Sequence, residues 1–141
     1  MTVSQRQSGL LENLLVLPDP QERLAYLVTE AARAPALAES ERVPEIRVHG
    51  CISQVWLKRG FANGRCRFHS AADSPLVAGL VHLLCRIYDD AEPADILAVE
   101  PSLLETAGLW KNLSPTRQNG LQAVRREMAD FARSQHPLPP H

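Results

Sequence analysis

The 141-residue sequence predicts an α+β fold, a small antiparallel sheet flanked by helices. Three observations carry that prediction. A hairpin signal lies mid-chain, where Val55-Trp56-Leu57 runs through Phe61-Ala62 into the Asn63-Gly64 dipeptide. The return segment, Arg65-Cys66-Arg67-Phe68-His69, alternates polar and apolar with the period of a strand. Helical periodicity occupies the chain on both sides, so the order reads α-α-β-β-α-α-α-α. Two strands alone are marginal, and Ile46–Val48 is the expected third, at the sheet edge.

Before the hairpin, residues 1–7 are polar and are expected to fray. Ser8 reads as the cap of a first helix carrying Leu10, Leu11, Leu14 and Leu15 on one face, stopped by Pro18. Asp19-Pro20 reads as the cap and first position of a second helix, with Glu22 near the positive end of its dipole. Leu24, Leu27, Val28 and Ala31 give that helix its apolar stripe, up to about Pro35. Residues 36–50 lack long periodicity and mix Glu39, Glu41 and Glu45 with Arg42 and Arg47, the pattern of a solvated connection.

After the hairpin, Asp73 or Ser74 caps a helix whose first turn holds Pro75. Its apolar face runs from Leu76 to Tyr88 and is wide enough for a central helix, with Cys85 at the border and His82 and Arg86 on the solvated side. Glu92-Pro93 opens a short helix ending near Val99, and Pro101 another that Gly108 terminates. Ser114-Pro115 caps the last helix, striped by Leu121, Val124, Met128 and Phe131. The tail from His136 to His141 is too rich in proline to continue it.

Length and composition bound the rest. The chain fits one domain, 1–141, with an ordered core at about 8–134 and flexible ends at 1–7 and 135–141. Fifteen Lys and Arg against sixteen Asp and Glu leave a formal charge of −1. That lacks the basic excess of a nonspecific nucleic-acid binder. No apolar run approaches the roughly 18 residues of a membrane span, and the N-terminus lacks the order of a secretory signal. Three cysteines without CxxC spacing argue against a disulfide framework and for a cytoplasmic protein with free thiols.

Cys51 is the sharpest site candidate. It follows Gly50, which permits a tight turn and close approach of a partner, and Arg47 and His49 lie upstream. Nearby cations favour the thiolate, which is the nucleophile. Two readings stand on these residues, a reactive loop thiol and a buried structural cysteine. Cys66 sits on the apolar side of its strand, where a free cysteine behaves as a small hydrophobe. A metal site drawn from Cys51, Cys66, Cys85, His49, His69 and His82 has the right ligand types but no short ligand spacing. A cysteine hydrolase would need a base and an orienting group, and Cys51 precedes a strand instead of sitting at a strand-to-helix elbow. Arg117, in the first turn of the last helix, opposes the dipole there. It is either a structural partner of a carboxylate such as Asp73 or a contact for an anion or another protein.

Three segments resemble the SufE family of sulfur-acceptor proteins. Val48-His49-Gly50-Cys51-Ile52-Ser53-Gln54-Val55-Trp56-Leu57 is similar to its cysteine loop, and Ala72-Asp73-Ser74-Pro75-Leu76 to its Asp-Ser helix start. Leu113-Ser114-Pro115-Thr116-Arg117-Gln118-Asn119-Gly120-Leu121 is similar to its Ser/Thr-Arg-x-Asn/Gln-Gly-Leu motif. The resemblance runs from about Leu10 to Phe131 and implies a fold like that of IscU-type scaffolds.

It also implies a function. A pyridoxal-phosphate (PLP)-dependent cysteine desulfurase holds sulfur as a persulfide, and Cys51 accepts that sulfur, stimulates the desulfurase and relays it to an iron–sulfur cluster scaffold. The PLP belongs to the desulfurase; the resemblance implies no cofactor, no bound metal and no independent active site here. His49, Gly50, Ser53, Asp73 and Arg117 are the implied partner-binding positions. Ile52 departs from the family, which commonly has a polar residue there, often Gln, and this bears on partner preference. Trp56, Leu57 and the flanking helices are expected to shelter a persulfide, and Gly50 to act as the hinge that extends the loop. The alternative is a metal- or cluster-binding scaffold of similar architecture, which would need Cys66 or Cys85 as further ligands.

Overall fold

The computed structural model describes residues 1–51 and 53–136. Helices α1 (Val3–Leu15) and α2 (Pro20–Arg33) precede the hairpin of β1 (Val55–Ala62) and β2 (Arg65–Ala72). Helices α3 (Pro75–Tyr88), α4 (Pro93–Ala98), α5 (Leu103–Thr106) and α6 (Pro115–Gln135) follow it. The expected α+β order is therefore the observed one.

The hairpin pairs Val55 with Ala72 through to Ala62 with Arg65. Asn63 and Gly64 both adopt positive φ, 55° and 76°, as a two-residue hairpin turn requires. In this register Val55, Leu57, Arg59, Cys66 and Phe68 share one face, and that face lies on α3 and α6. Val55, Leu57 and Cys66 are fully buried there. Phe68 meets Phe131 of α6 edge-on at 6.0 Å, and Arg59 pairs with Glu127 of α6 at 2.9 Å. This helical backing compensates for a sheet of only two strands.

The third strand does not form. Ile46 belongs to a 3₁₀ turn, Pro44–Ile46, which draws the Arg47 amide back to the Pro44 carbonyl. What remains is a single bridge from Arg47 to Trp56, with the Val48 amide donating to the Val55 carbonyl at 2.8 Å. A second bridge, Cys66 to Ala91, sits on the other strand and had no sequence signal.

Helix α3 is central, as its broad apolar face predicts: Leu80, Val81, Leu83, Leu84, Cys85, Ile87 and Tyr88 are all buried. Ser74, and not Asp73, caps it, its hydroxyl accepting from the Val77 amide. His82 is half-buried, not fully solvated, and burial together with Arg86 lowers its pKa. The Tyr88 hydroxyl donates to the Val99 carbonyl at 2.7 Å, and the Arg125 guanidinium stacks over the Tyr88 ring at 4.5 Å. Arg125 also donates to the carbonyls of Ile96 and Val99, binding the end of α4 to α6.

The beginning of the chain needs correction. Helix α1 starts at Val3 with Thr2 as its cap, six residues before the expected cap at Ser8, because Thr2 and Gln5 form a reciprocal capping box. The Val3 side chain is fully buried, and its amide donates to the Asp95 carboxylate at 2.8 Å. Arg6 donates to carbonyls at the end of α3, and Gln7 bridges the Glu100 carbonyl and the Leu103 amide. Residues 3–7, expected to fray, are thus tied to three other elements. The Thr-x-x-Gln spacing was the signal that would have found this start. Within the described residues no helix is long and apolar enough to cross a membrane. The proline-rich tail beyond His136 lies outside the described residues.

Candidate functional site

The hairpin's open end creates a short loop. The Val48 amide bonds to Val55, and one residue pair further along, Gln54 and Asp73 lock together. The Gln54 amide donates to the Asp73 carboxylate, and the Asp73 amide donates to the Gln54 carbonyl, both at 3.1 Å. Residues 49–54 span these two clasps, and Cys51 lies between them. Gly50 adopts φ +97°, a conformation that L side chains resist, and so reverses the chain just before the cysteine. The Cys51 side chain turns inward, and its thiol donates to the Gly120 carbonyl of α6 at 3.4 Å.

The thiol faces a cleft of about 240 Å³ between α3 and α6. Val77, Leu80, Val81 and Leu121 form an apolar floor; Ser53, Ser114, Thr116 and Arg117 form a polar side. Burial pushes the Cys51 thiol pKa up, and Arg47 pulls weakly the other way. Arg47 thus favours the thiolate as its charge implies, but desolvation outweighs it. His49 is exposed on the loop and is not among the charges acting on the sulfur. At rest the side chain is a sheltered thiol, where desolvation outweighs one cation.

This state has a measurable consequence. Alkylation of Cys51 by iodoacetamide should be slower at neutral pH than that of an unstructured peptide thiol. Because the rate follows the thiolate fraction, its rise with pH should be centred above the ordinary thiol pKa. A rate and midpoint equal to the peptide's would sink the sheltered-thiol description.

The remaining candidates separate cleanly. Arg117 is exposed, its amide is capped by the Ser114 hydroxyl at 3.2 Å, and the residue lines the cleft. The alternative pairing with Asp73 does not form, and one Asp73 carboxylate oxygen accepts from the Gln54 amide. Among the described residues Arg117 has no ion-pair partner. Ser53 is half-buried at the cleft, whereas Gly50 and Asp73 are exposed at the loop and its base. Ile52 lies outside the described residues. Cys66 is fully buried under the hairpin, and burial raises the Cys85 thiol pKa to about 12. Among the described residues no three His, Cys, Asp or Glu side chains gather where a metal could be held. The scaffold alternative thus lacks a donor set there.

Sequence reading missed the far wall of the site. Gly120 and Ala123 of α6 receive the loop, and no motif argument had assigned them that role. A glycine inside an otherwise helical run was the available signal, since it costs about 1 kcal/mol relative to alanine.

A family model described as SufE, Fe-S metabolism associated domain, matches residues 8–132. The chain belongs to the SufE family. An uncharacterized SufE-like protein of Rhizobium etli is 30% identical over 129 residues, covering 88% of this chain and 87% of its own length. A chloroplastic quinolinate synthase of Oryza sativa subsp. japonica is 41% identical over 106 residues, or 74% of this chain. This SufE-family chain spans only 15% of the length of that rice protein. The solution structure of a hypothetical protein from Thermus thermophilus superposes with a TM-score of 0.75, covering 92% of this chain and 95% of the other. At 24% identity that likeness establishes the fold alone. Membership of the SufE family associates the chain with iron–sulfur metabolism.

Proposed function

We propose that Cys51 accepts sulfur from the persulfide of a PLP-dependent cysteine desulfurase and relays it toward iron–sulfur cluster assembly. The Cys51 thiolate attacks the terminal sulfur of the desulfurase persulfide. The donor's sulfur–sulfur bond breaks, its cysteine leaves as a thiolate, and a new sulfur–sulfur bond forms on Cys51. This is thiol exchange without net oxidation or reduction, so it needs access and a thiolate but no oxyanion hole or second catalytic group. Relay to a scaffold repeats the step in the other direction.

The observation that carries the proposal is the seating of Cys51 in a SufE-family domain. It alone of the three free cysteines lies on a loop at a cleft, while Cys66 and Cys85 are packed in the core. The raised pKa of the seated thiol lowers its thiolate fraction, so movement of the loop out of the cleft on docking would favour attack. Partial burial against the apolar side of the cleft would slow oxidation of a resting or loaded cysteine. Ser53 and Arg117 line the same cleft as Cys51 and, with His49 and Gly50 exposed on the loop, form the proposed contact set for the partner, while Asp73 holds the base of the loop. Three free thiols fit the reducing cytoplasm.

The test is direct. The protein is incubated with a cysteine desulfurase, PLP and cysteine, and sulfur is mapped by mass spectrometry under nonreducing conditions. One additional sulfur on the Cys51 peptide is expected. Sulfur absent from Cys51, or spread equally over all three cysteines, would rule the proposal out.

A further inference from the structure

The loop that carries Cys51 rests on one face of α6, and the contact is close enough to ask what permits it. A Cβ built on Gly120 would lie 3.2 Å from the Cys51 sulfur, 3.8 Å from its Cβ and 3.9 Å from its Cα. The whole of Cys51 thus sits over a position that has no side chain. One turn along the same face, the Ala123 methyl lies 3.2 Å from where a Cβ on Gly50 would be. Residues 50 and 51 of the loop therefore seat on residues 123 and 120 of the helix. At the first pair the loop residue has no side chain, and at the second the helix residue has none.

We propose that Gly120 is the positioning residue of the Cys51 loop: the missing side chain lets the thiol into the cleft, and its carbonyl receives the thiol proton. The size of the side chain at position 120 then sets how much of the time Cys51 is seated. Several observations support a local effect. Gly120 is buried inside the 21-residue helix α6, where alanine is the better helix former, so an added methyl does not weaken the helix itself. The atom nearest that methyl is the Cys51 sulfur, the far end of a side chain, on a loop whose backbone is clasped at Val48–Val55 and at Gln54–Asp73. Alanine overlaps the sulfur by a few tenths of an ångström at most. Valine, with two further carbons on the same helix face, leaves no seat. The loop yields before the helix does.

The inference rests on the sulfur-acceptor reading only for its consequence in sulfur uptake; the seating itself is independent of that reading. The test alkylates the full-length protein and its Gly120→Ala and Gly120→Val variants with iodoacetamide under native conditions. Modification is followed at Cys51, Cys66 and Cys85 separately. The Cys51 rate should rise in Gly120→Ala and by about tenfold in Gly120→Val, as a one-decade shift of a local opening equilibrium produces. Cys66 and Cys85 should keep their protection. The pH midpoint of the Cys51 reaction should fall toward that of a free thiol as desolvation is relieved, with Arg47 still acting on the sulfur.

An unchanged Cys51 rate in both variants would overturn the proposal. So would a parallel gain at all three cysteines, which would make Gly120 a general packing residue. A desulfurase arm separates this outcome from the function. If neither the parent nor the opened variants take up sulfur on Cys51, the acceptor role fails while the seating by Gly120 stands.

Discussion

Replacing Cys51 with serine is expected to abolish sulfur acceptance completely, because a hydroxyl oxygen cannot form or exchange the sulfur–sulfur bond. Desulfurase turnover measured in the presence of the Cys51→Ser variant should show no stimulation beyond the desulfurase alone. Cys66→Ser should retain acceptance to the extent that the variant folds, since burying a hydroxyl under the hairpin costs stability, on the order of 1–3 kcal/mol. Cys85→Ala removes the second buried thiol at a smaller polar cost and should accept sulfur normally. Full stimulation by Cys51→Ser, or loss of acceptance in a folded Cys85→Ala protein, would refute the assignment. The contrast rests on burial. Cys66 is wholly enclosed and Cys85 nearly so, which leaves Cys51 the most accessible of the three to a partner's persulfide.

The largest effect on stability is expected at Gly79, where α3 crosses α2. A Cβ there would lie 3.0 Å from the Val28 amide nitrogen and 3.1 Å from the Leu27 carbonyl carbon and the Val28 Cα. These are backbone atoms of a helix and cannot swing aside as a side chain can. Gly79→Val should therefore push α2 off α3 and cost about 3 kcal/mol or more, at or beyond the upper end of overpacking effects. Urea denaturation followed by circular dichroism measures it as a fall in midpoint. Gly9, on the exposed face of α1 with nothing within 4 Å of its would-be Cβ, provides the comparison. Gly9→Ala should stabilise by about 0.5–1 kcal/mol through helix propensity alone. Equal midpoints for the two variants would show that the α2–α3 approach is looser than described.

The same two glycines show which parts of the fold could be read in advance. Periodicity placed the helices and the hairpin because burial follows the period of each element, and local caps such as Asp19, Ser74 and Ser114 act within a few residues. Nothing in that pattern distinguishes Gly79 from Gly9. One is enclosed by another helix and the other faces solvent, a difference set by residues some fifty positions away in the chain. The failed edge strand at Ile46–Val48 has a local origin instead, since a 3₁₀ turn opened by Pro44 captured a segment whose composition suited a strand.

At the site, the identity of the thiol was legible and its chemical state was not. Cys51 stands out in sequence because a glycine precedes it, a strand follows it, and two further motifs share its family order. Those features are local or are carried by the ordering of short segments along the chain. Arg47 acts in the thiolate-favouring direction, yet the net shift is upward because a pKa depends on everything around the sulfur, and adjacency in sequence supplies only part of it. Burial against Gly120 and the apolar floor from α3 and α6 outweighs the single cation that reaches it. The chain's local pattern therefore singles out the candidate thiol and the elements that carry it. The packing of distant helices determines that the thiol is sheltered, because desolvation and steric fit arise only when those helices are brought together.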